Sequence, residues 1–145
     1  MAEINKVEDY MDKTFLKLKS DMDVYQAIDL LLETGQTSAV VVDDRNKIVG
    51  VLSEKDCLKL MTGGSYYQLP SGRVDEFMTK DVLAVSPSTD IFKIADMFLS
   101  NFFRRILVHD EKKCVIGQIT RRDLLRIIKE LHLREDKEEK VAPIL

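Results

Sequence analysis

Apolar residues recur along this chain in two rhythms. Val24, Ala27, Ile28, Leu31 and Leu32 fall on helical spacing, and so do Ile91, Ile94, Ala95, Phe98 and Leu99. Ala39-Val40-Val41-Val42 and Ile106-Leu107-Val108 are short runs rich in β-branched residues, the signature of buried strands. Polar turns follow at Asp43–Lys47 and Asp110–Lys113, so Ile48–Leu52 and Val115–Ile119 are expected to return as antiparallel partners. Second helices are expected over Glu54–Met61 and Arg121–Leu131. Upstream, a helical turn (Val7–Met11, Val74–Met78) leads into a brief strand at Phe15–Leu18 or Val82–Val85. A break precedes each first helix, at Lys19-Ser20-Asp21 and at Ser86-Pro87-Ser88. Pro87 fixes its own φ, and Ser88, Thr89 and Asp90 are natural helix caps.

The two series are one pattern made twice. At an offset of 67, Val7–Met61 falls on Val74–Ile128 without a gap, with 12 identities in 55 columns. Unrelated sequences of average composition would give roughly three. Such a unit usually packs against its own copy to bury an apolar face. The organisation is therefore a first repeat at 7–61, a linker at 62–73, a second repeat at 74–131 and a charged tail at 132–145. Gly63, Gly64 and Pro70 mark the linker as a loop, in which Tyr66 and Tyr67 either cover a core edge or stack on a ligand. Arg134–Lys140 is an unbroken charged run, read as a solvated helix end or frayed tail.

Composition narrows the function by exclusion. Hydrophobic residues make up 45% and charged residues 32%, a globular balance. No apolar run approaches the ~18 residues of a membrane span, and Met1–Lys6 has no apolar signal core. A net charge of −3 argues against a nucleic-acid binder. Cys57 and Cys114 lack metal-ligand spacing and read as free thiols of a cytoplasmic protein. His109 and His132 have no companion cluster, so no metal site is expected. No nucleophile–base set and no Gly-Lys-Ser/Thr phosphate loop is present, so the chain is not expected to be an enzyme.

Each repeat closes with Gly50-x-x-Ser53-x-x-Asp56 or Gly117-x-x-Thr120-x-x-Asp123 at the last strand-to-helix junction. A tandem βαββα unit ending in this motif resembles the CBS domain pair, or Bateman module. That family is named after cystathionine β-synthase and also occurs in the γ subunit of AMP-activated protein kinase and in IMP dehydrogenase. The resemblance spans about Val7 to Leu131. It implies an α+β fold of two CBS repeats packed as a pseudo-two-fold pair. It also implies a regulatory module binding AMP, ADP or ATP in clefts between the repeats, with S-adenosylmethionine less favoured. A ligand-free interaction scaffold is the alternative.

A carboxylate accepts hydrogen bonds from both ribose hydroxyls, and the family places its ribose site at the closing motif. Asp56 and Asp123 are accordingly ribose candidates; the competing reading makes each a surface helix-start carboxylate favoured by the local dipole. Phosphates need cations, and Arg104-Arg105 falls where nucleotide-binding members carry a His-Arg pair. The first expected cleft joins Ser53, Lys55 and Asp56 to Thr89, Ile94, Arg104 and Arg105. The second joins Thr120, Arg122 and Asp123 to Met22, Ala27, Thr37 and Ser38, with Arg121 beside them. Arg105 lies near the pseudo-two-fold axis and is open to serving either cleft; surface ion pairing is the competing role for both arginines. Where the family often has Pro, this chain has Val40 and Leu107.

Leu58, Leu60, Met61, Leu124, Leu125, Ile127 and Ile128 exceed what so small a core needs. A homodimer through the second-helix faces is expected from them. The partner that such a module would regulate is not written in the sequence.

Overall fold

The computed structural model describes residues 5–62 and 71–141, with side chains as far as Lys137. The expectations for Gly63, Gly64, Tyr66 and Tyr67 lie outside the described residues. In the first repeat the elements are β1 (Lys17–Lys19), α1 (Val24–Thr34), β2 (Ser38–Val42), β3 (Ile48–Ser53) and α2 (Glu54–Cys57), with 3-10 turns at Val7–Asp9 and Leu58–Met61. In the second they are α3 (Val74–Phe77), β4 (Ala84–Val85), α4 (Ile91–Ser100), β5 (Arg105–His109), β6 (Val115–Thr120) and α5 (Arg121–Val141). The fold is α+β, two repeats of one kind.

Each repeat builds a three-stranded sheet, ordered β1-β2-β3 or β4-β5-β6, parallel in its first pair and antiparallel in its second. The register slips at equivalent places, between Val41 and Val42 and between Val108 and His109. α4 starts as the sequence suggests, with Asp90 accepting from the N–H of Phe92, and Asp23 caps α1 in the same way, accepting from the N–H of Tyr25. α1 stops at Gly35, whose φ of 69° is the left-handed cap that glycine adopts at no steric cost.

The helical turns of Val7–Met11 and Val74–Met78 do not pack on their own repeats. Val7 is fully buried among Ile91, Ile94, Phe98, Ile106 and Ile119 of the second repeat, with Tyr10 and Met11 alongside. Val74 is buried among Leu18, Ala27, Leu31, Ala39 and Leu52 of the first, with Phe77 and Met78. Backbone hydrogen bonds fix the exchange. Asp12 bridges to Gln118 at 2.8 and 3.0 Å, and Thr79 bridges to Val51 at 2.9 Å in both directions. The two arms are thus swapped between halves. Between the halves a third cluster forms, in which Val40 and Val42 meet Leu107 and Val115 beside Phe15 and Val82.

Of the two readings of the charged run after Leu131, the structure has the helix end: α5 continues through it to Val141, carrying the i,i+4 pairs Glu130–Arg134 and His132–Asp136. Of the apolar residues assigned to a dimer face, Leu60 and Ile127 are buried in the chain's own core and Leu124 packs against it; Leu58, Met61, Leu125 and Ile128 are exposed.

The β-turns also differ in strain. Asn46 and Lys113 occupy equivalent positions with φ of 64° and 68°. Asn visits this region readily, whereas a left-handed conformation costs other L-residues roughly 1–2 kcal/mol. Lys113→Asn is therefore expected to raise stability by about 0.5–1 kcal/mol, read as a higher urea midpoint with an unchanged slope.

Candidate functional site

The two closing motifs fold into reciprocal caps. The Ser53 hydroxyl accepts from the Asp56 N–H at 3.1 Å, and Asp56 Oδ2 accepts from the Ser53 N–H at 2.9 Å. Thr120 and Asp123 repeat this, at 3.3 and 2.8 Å. A β-strand ending in Ser or Thr followed by a carboxylate three residues on produces such a box wherever a helix begins.

The surroundings of the two carboxylates differ. Asp123 is partly exposed, and its Oδ1 is held by Arg126 at 3.0 Å. Asp56 is only 6% exposed. Its Oδ1 accepts from the Thr79 hydroxyl at 3.0 Å and from Lys59 Nζ at 3.3 Å. Asp56 is therefore not the surface helix-start carboxylate of one expectation, because the swapped arm carrying Thr79 covers it. Burial alone would raise its pKa. The Ser53 N–H, the Thr79 and Ser53 hydroxyls and Lys59 together outweigh burial and hold it below the ordinary Asp value.

Asp56 opens onto a cleft of about 240 Å³ between the repeats. Ser38 and Ser53 share its wall with Asp56. Asp81, Arg104 and Arg105 come from the second repeat. Leu83, Phe103 and Leu107 give it an apolar side suited to an aromatic ring. Arg105 donates to Gln118 Oε1 at 2.8 Å through Nη1, while its buried Nε has no hydrogen-bond partner among the described residues. Burial, and then the like charge of Arg104, push the Arg105 guanidinium below its ordinary value. Such a group gains from an anion within reach.

Of the residues expected in the first cleft, Ser53, Asp56, Arg104 and Arg105 are brought together. Lys55 is exposed outside it. Ile94 is fully buried under Val7 in the second-repeat core, so it is not available to a cleft ligand. Thr89 caps the arm, its carbonyl accepting from the Val7 N–H at 2.8 Å. In the second set, Ala27 is fully buried under Val74 and Met22 packs on the same core. Thr37, Arg121 and Arg122 are exposed. Ser38 lines the Asp56 cleft instead of facing Asp123.

The reason is common to these cases. The apolar face of each first helix is turned to a swapped arm, and the space between repeats is lined by the segments leading into β4 and β5. Thr79, Asp81 and Phe103 lie on those segments and carry no periodic signal, and Leu83 was read only as part of the strand expected at Val82–Val85. At the offset of 67, Ser38 and Val51 of the Asp56 cleft correspond to Arg105 and Gln118 of the second repeat. Two small or apolar side chains are thus replaced by two large polar ones bonded to each other, so the surroundings of Asp56 and Asp123 are not equivalent.

Comparison with known proteins agrees with this architecture. The CBS domain profile matches residues 7–63 and 74–130, and the chain belongs to the CBS-domain family. Among solved structures, CBSX2, described as a CBS-pair protein from Arabidopsis thaliana, superposes with a TM-score of 0.76 in its complex with AMP, at 30% identity over 88% of this chain and 98% of that one. An uncharacterized 17.7 kDa protein of Acidianus ambivalens is 28% identical over 79% of this chain and 68% of its own length. An A-adding tRNA nucleotidyltransferase of Aquifex aeolicus is 30% identical over 86% of this chain, which spans 14% of that enzyme. The chain also spans less than half the length of several other curated relatives. Among the described residues no helix is long and apolar enough to cross a membrane, and no His/Cys/Asp/Glu group could hold a metal ion.

Proposed function

We propose that this chain is a non-catalytic regulatory module that binds an adenine nucleotide in the Asp56 cleft. The observation that carries the reading is one cleft with Asp56 and Ser53 on one repeat, Arg104 and Arg105 on the other, and an apolar side between them. The carboxylate suits two ribose hydroxyls, the apolar side suits the base, and the arginines suit phosphate. Asp56 and Asp81 balance Arg104 and Arg105 in charge, which favours the single phosphate of AMP over the longer chains of ADP or ATP. CBSX2, the similar protein crystallised with AMP, supports the same ligand class. Asp123, whose repeat has Arg105 and Gln118 at the positions of Ser38 and Val51, is the weaker site.

A module of this kind acts on another protein in the cytoplasm, and it acts as a homodimer. Exposed apolar residues recur in equivalent pairs on the helices of both repeats: Leu32 with Leu99, Leu58 with Leu125, Met61 with Ile128. A surface apolar in both halves at once suits a two-fold contact.

The test compares adenosine, AMP and ATP by thermal shift and calorimetry. AMP at about 100 times its Kd should add ~2.7 kcal/mol of stability, several degrees for a chain of this size. Arg104→Ala/Arg105→Ala should lose the preference for AMP over adenosine while keeping weak adenosine binding. In the wild type, AMP binding should weaken with added salt. No shift with any nucleotide would leave a ligand-free scaffold as the better description.

A further inference from the structure

We infer that Phe102 selects the base in the Asp56 cleft, by stacking its ring on the flat face of the nucleotide's purine. The inference rests on the cleft reading above and deepens it, from the ligand's sugar and phosphate to its base. Phe102 lines the cleft from the second repeat, two residues ahead of Arg104, with Asp56 and Ser53 on the other repeat. Its side chain is fully exposed, whereas Phe103 beside it is half-buried. A lone exposed phenylalanine elsewhere on a surface calls for no explanation. At a cleft that already holds a carboxylate and two arginines, it offers a bare π-face on which a ring can stack. Leu83, Phe103 and Leu107 can hold one face of a base, and Phe102 can cover the other.

The chain brings the ring there by ending a helix early. At the offset of 67, Asn101 corresponds to Thr34 and Phe102 to Gly35. α1 is helical through Thr34 and closes on Gly35 in the left-handed cap. α4 stops at Ser100, and Asn101 is extended, with φ of −136° and ψ of 159°. The Asn101 side-chain amide donates to the Met97 carbonyl at 2.9 Å, satisfying one of the open carbonyls at the helix end. Phe102 follows directly, before β5 begins at Arg105. Gly35 at the counterpart position has no side chain to offer the Asp123 side. The ring is therefore a feature of one cleft and not of both. Aromatic side chains have few torsions to fix, so swinging an exposed one onto a base costs little entropy.

Calorimetry on the full chain compares AMP with ribose 5-phosphate, which keeps the sugar and the phosphate but lacks the base. Phe102→Ala should weaken AMP binding about ten- to hundred-fold and leave ribose 5-phosphate unchanged. Phe102→Leu, apolar but without a π-face, should fall between. The wild type should favour AMP over UMP, whose single ring offers less face, and the gap should narrow in Phe102→Ala. The chain has no tryptophan, so the indole of Phe102→Trp is a unique reporter whose emission should change with AMP but not with ribose 5-phosphate. Because the ring is exposed, Phe102→Ala should keep the wild-type urea midpoint, which separates lost binding from lost fold. Unchanged AMP affinity in Phe102→Ala overturns the inference. So do equal losses for AMP and ribose 5-phosphate, an AMP–UMP gap that does not narrow, or an indole emission indifferent to saturating AMP. In each of these cases the cleft reading stands if AMP is still preferred over adenosine. A wild type that binds no adenine nucleotide overturns the cleft reading and the role of Phe102 together.

Discussion

A chain beginning at Asp12 is expected to lose about 4–6 kcal/mol of stability, because it lacks the arm that closes the second-repeat core. Val7, Tyr10 and Met11 would go with that arm. Burying such side chains is worth roughly 1.5–3 kcal/mol each, an upper bound since Tyr10 and Met11 are only partly buried. The Val7 N–H to Thr89, Glu8 N–H to Pro87 and Ile91 N–H to Asn5 hydrogen bonds disappear as well. Against a typical total of about 5–15 kcal/mol this is a large fraction. The urea midpoint should fall by about 2–3 M, given a slope of ~2 kcal/mol/M. A fall of less than ~0.5 M would mean the arm is not part of the cooperative core. Gly117→Ala offers a milder version, since its new methyl would meet the flexible Met11 side chain. Gly50→Ala should be worse, since its methyl would also lie 2.8 Å from the Thr79 carbonyl oxygen.

Asp56→Asn is expected to weaken AMP binding by about 2–4 kcal/mol, thirty- to a thousand-fold, if the carboxylate holds two ribose hydroxyls. The substitution keeps size and one acceptor oxygen but removes the charge. It is preferable to Asp56→Ala, which would strand the Thr79 hydroxyl and Lys59 and undo the cap with Ser53. Some stability, about 1 kcal/mol, should be lost even with Asn, since one capping contact weakens. Calorimetry is the measurement. Affinity within twofold of the wild type would remove Asp56 from the ribose site, and the same change at Asp123 would then be the informative variant.

The elements with a clear period were legible in the sequence. α4 begins after Asp90, one of the caps the sequence marked, and β2, β3, β5 and β6 are found within one residue of expectation at each end. What was not legible was non-local. Val7 and Val74 look like ordinary apolar residues in a short turn, and nothing nearby in sequence says that each belongs to the opposite core. Ile94 and Ala27 were misassigned for this reason. Their helix faces are apolar because an arm lies on them, and only the tertiary arrangement shows it. Asp56 and the Arg104–Arg105 pair were legible through the repeated closing motif and the resemblance to the family, which carries its ribose site and its cations at those positions. Asp81 was not, lying in a segment with no period, and Leu83 was legible only as part of the strand expected at Val82–Val85. The length of α5 was left open by its charge, which reads as a solvated helix end or a frayed tail until the i,i+4 pairs are seen on one helix.

The exchange of arms also sets an order of events during synthesis. The first repeat's strands and α1 leave the ribosome complete to Met61, yet their core lacks Val74, Phe77 and Met78 until the next segment emerges. The second repeat's closing arm, by contrast, is made well before the repeat it closes, and must wait for Ile119 and Ile127 before it has a place to lie. Contacts of such sequence separation form late and slowly. An unclaimed arm with an apolar turn is also a means of capture between neighbouring nascent chains. The 67-residue duplication therefore ties each half's maturation to the other's, and a ribosome stalled after the first repeat holds an open core rather than a finished domain.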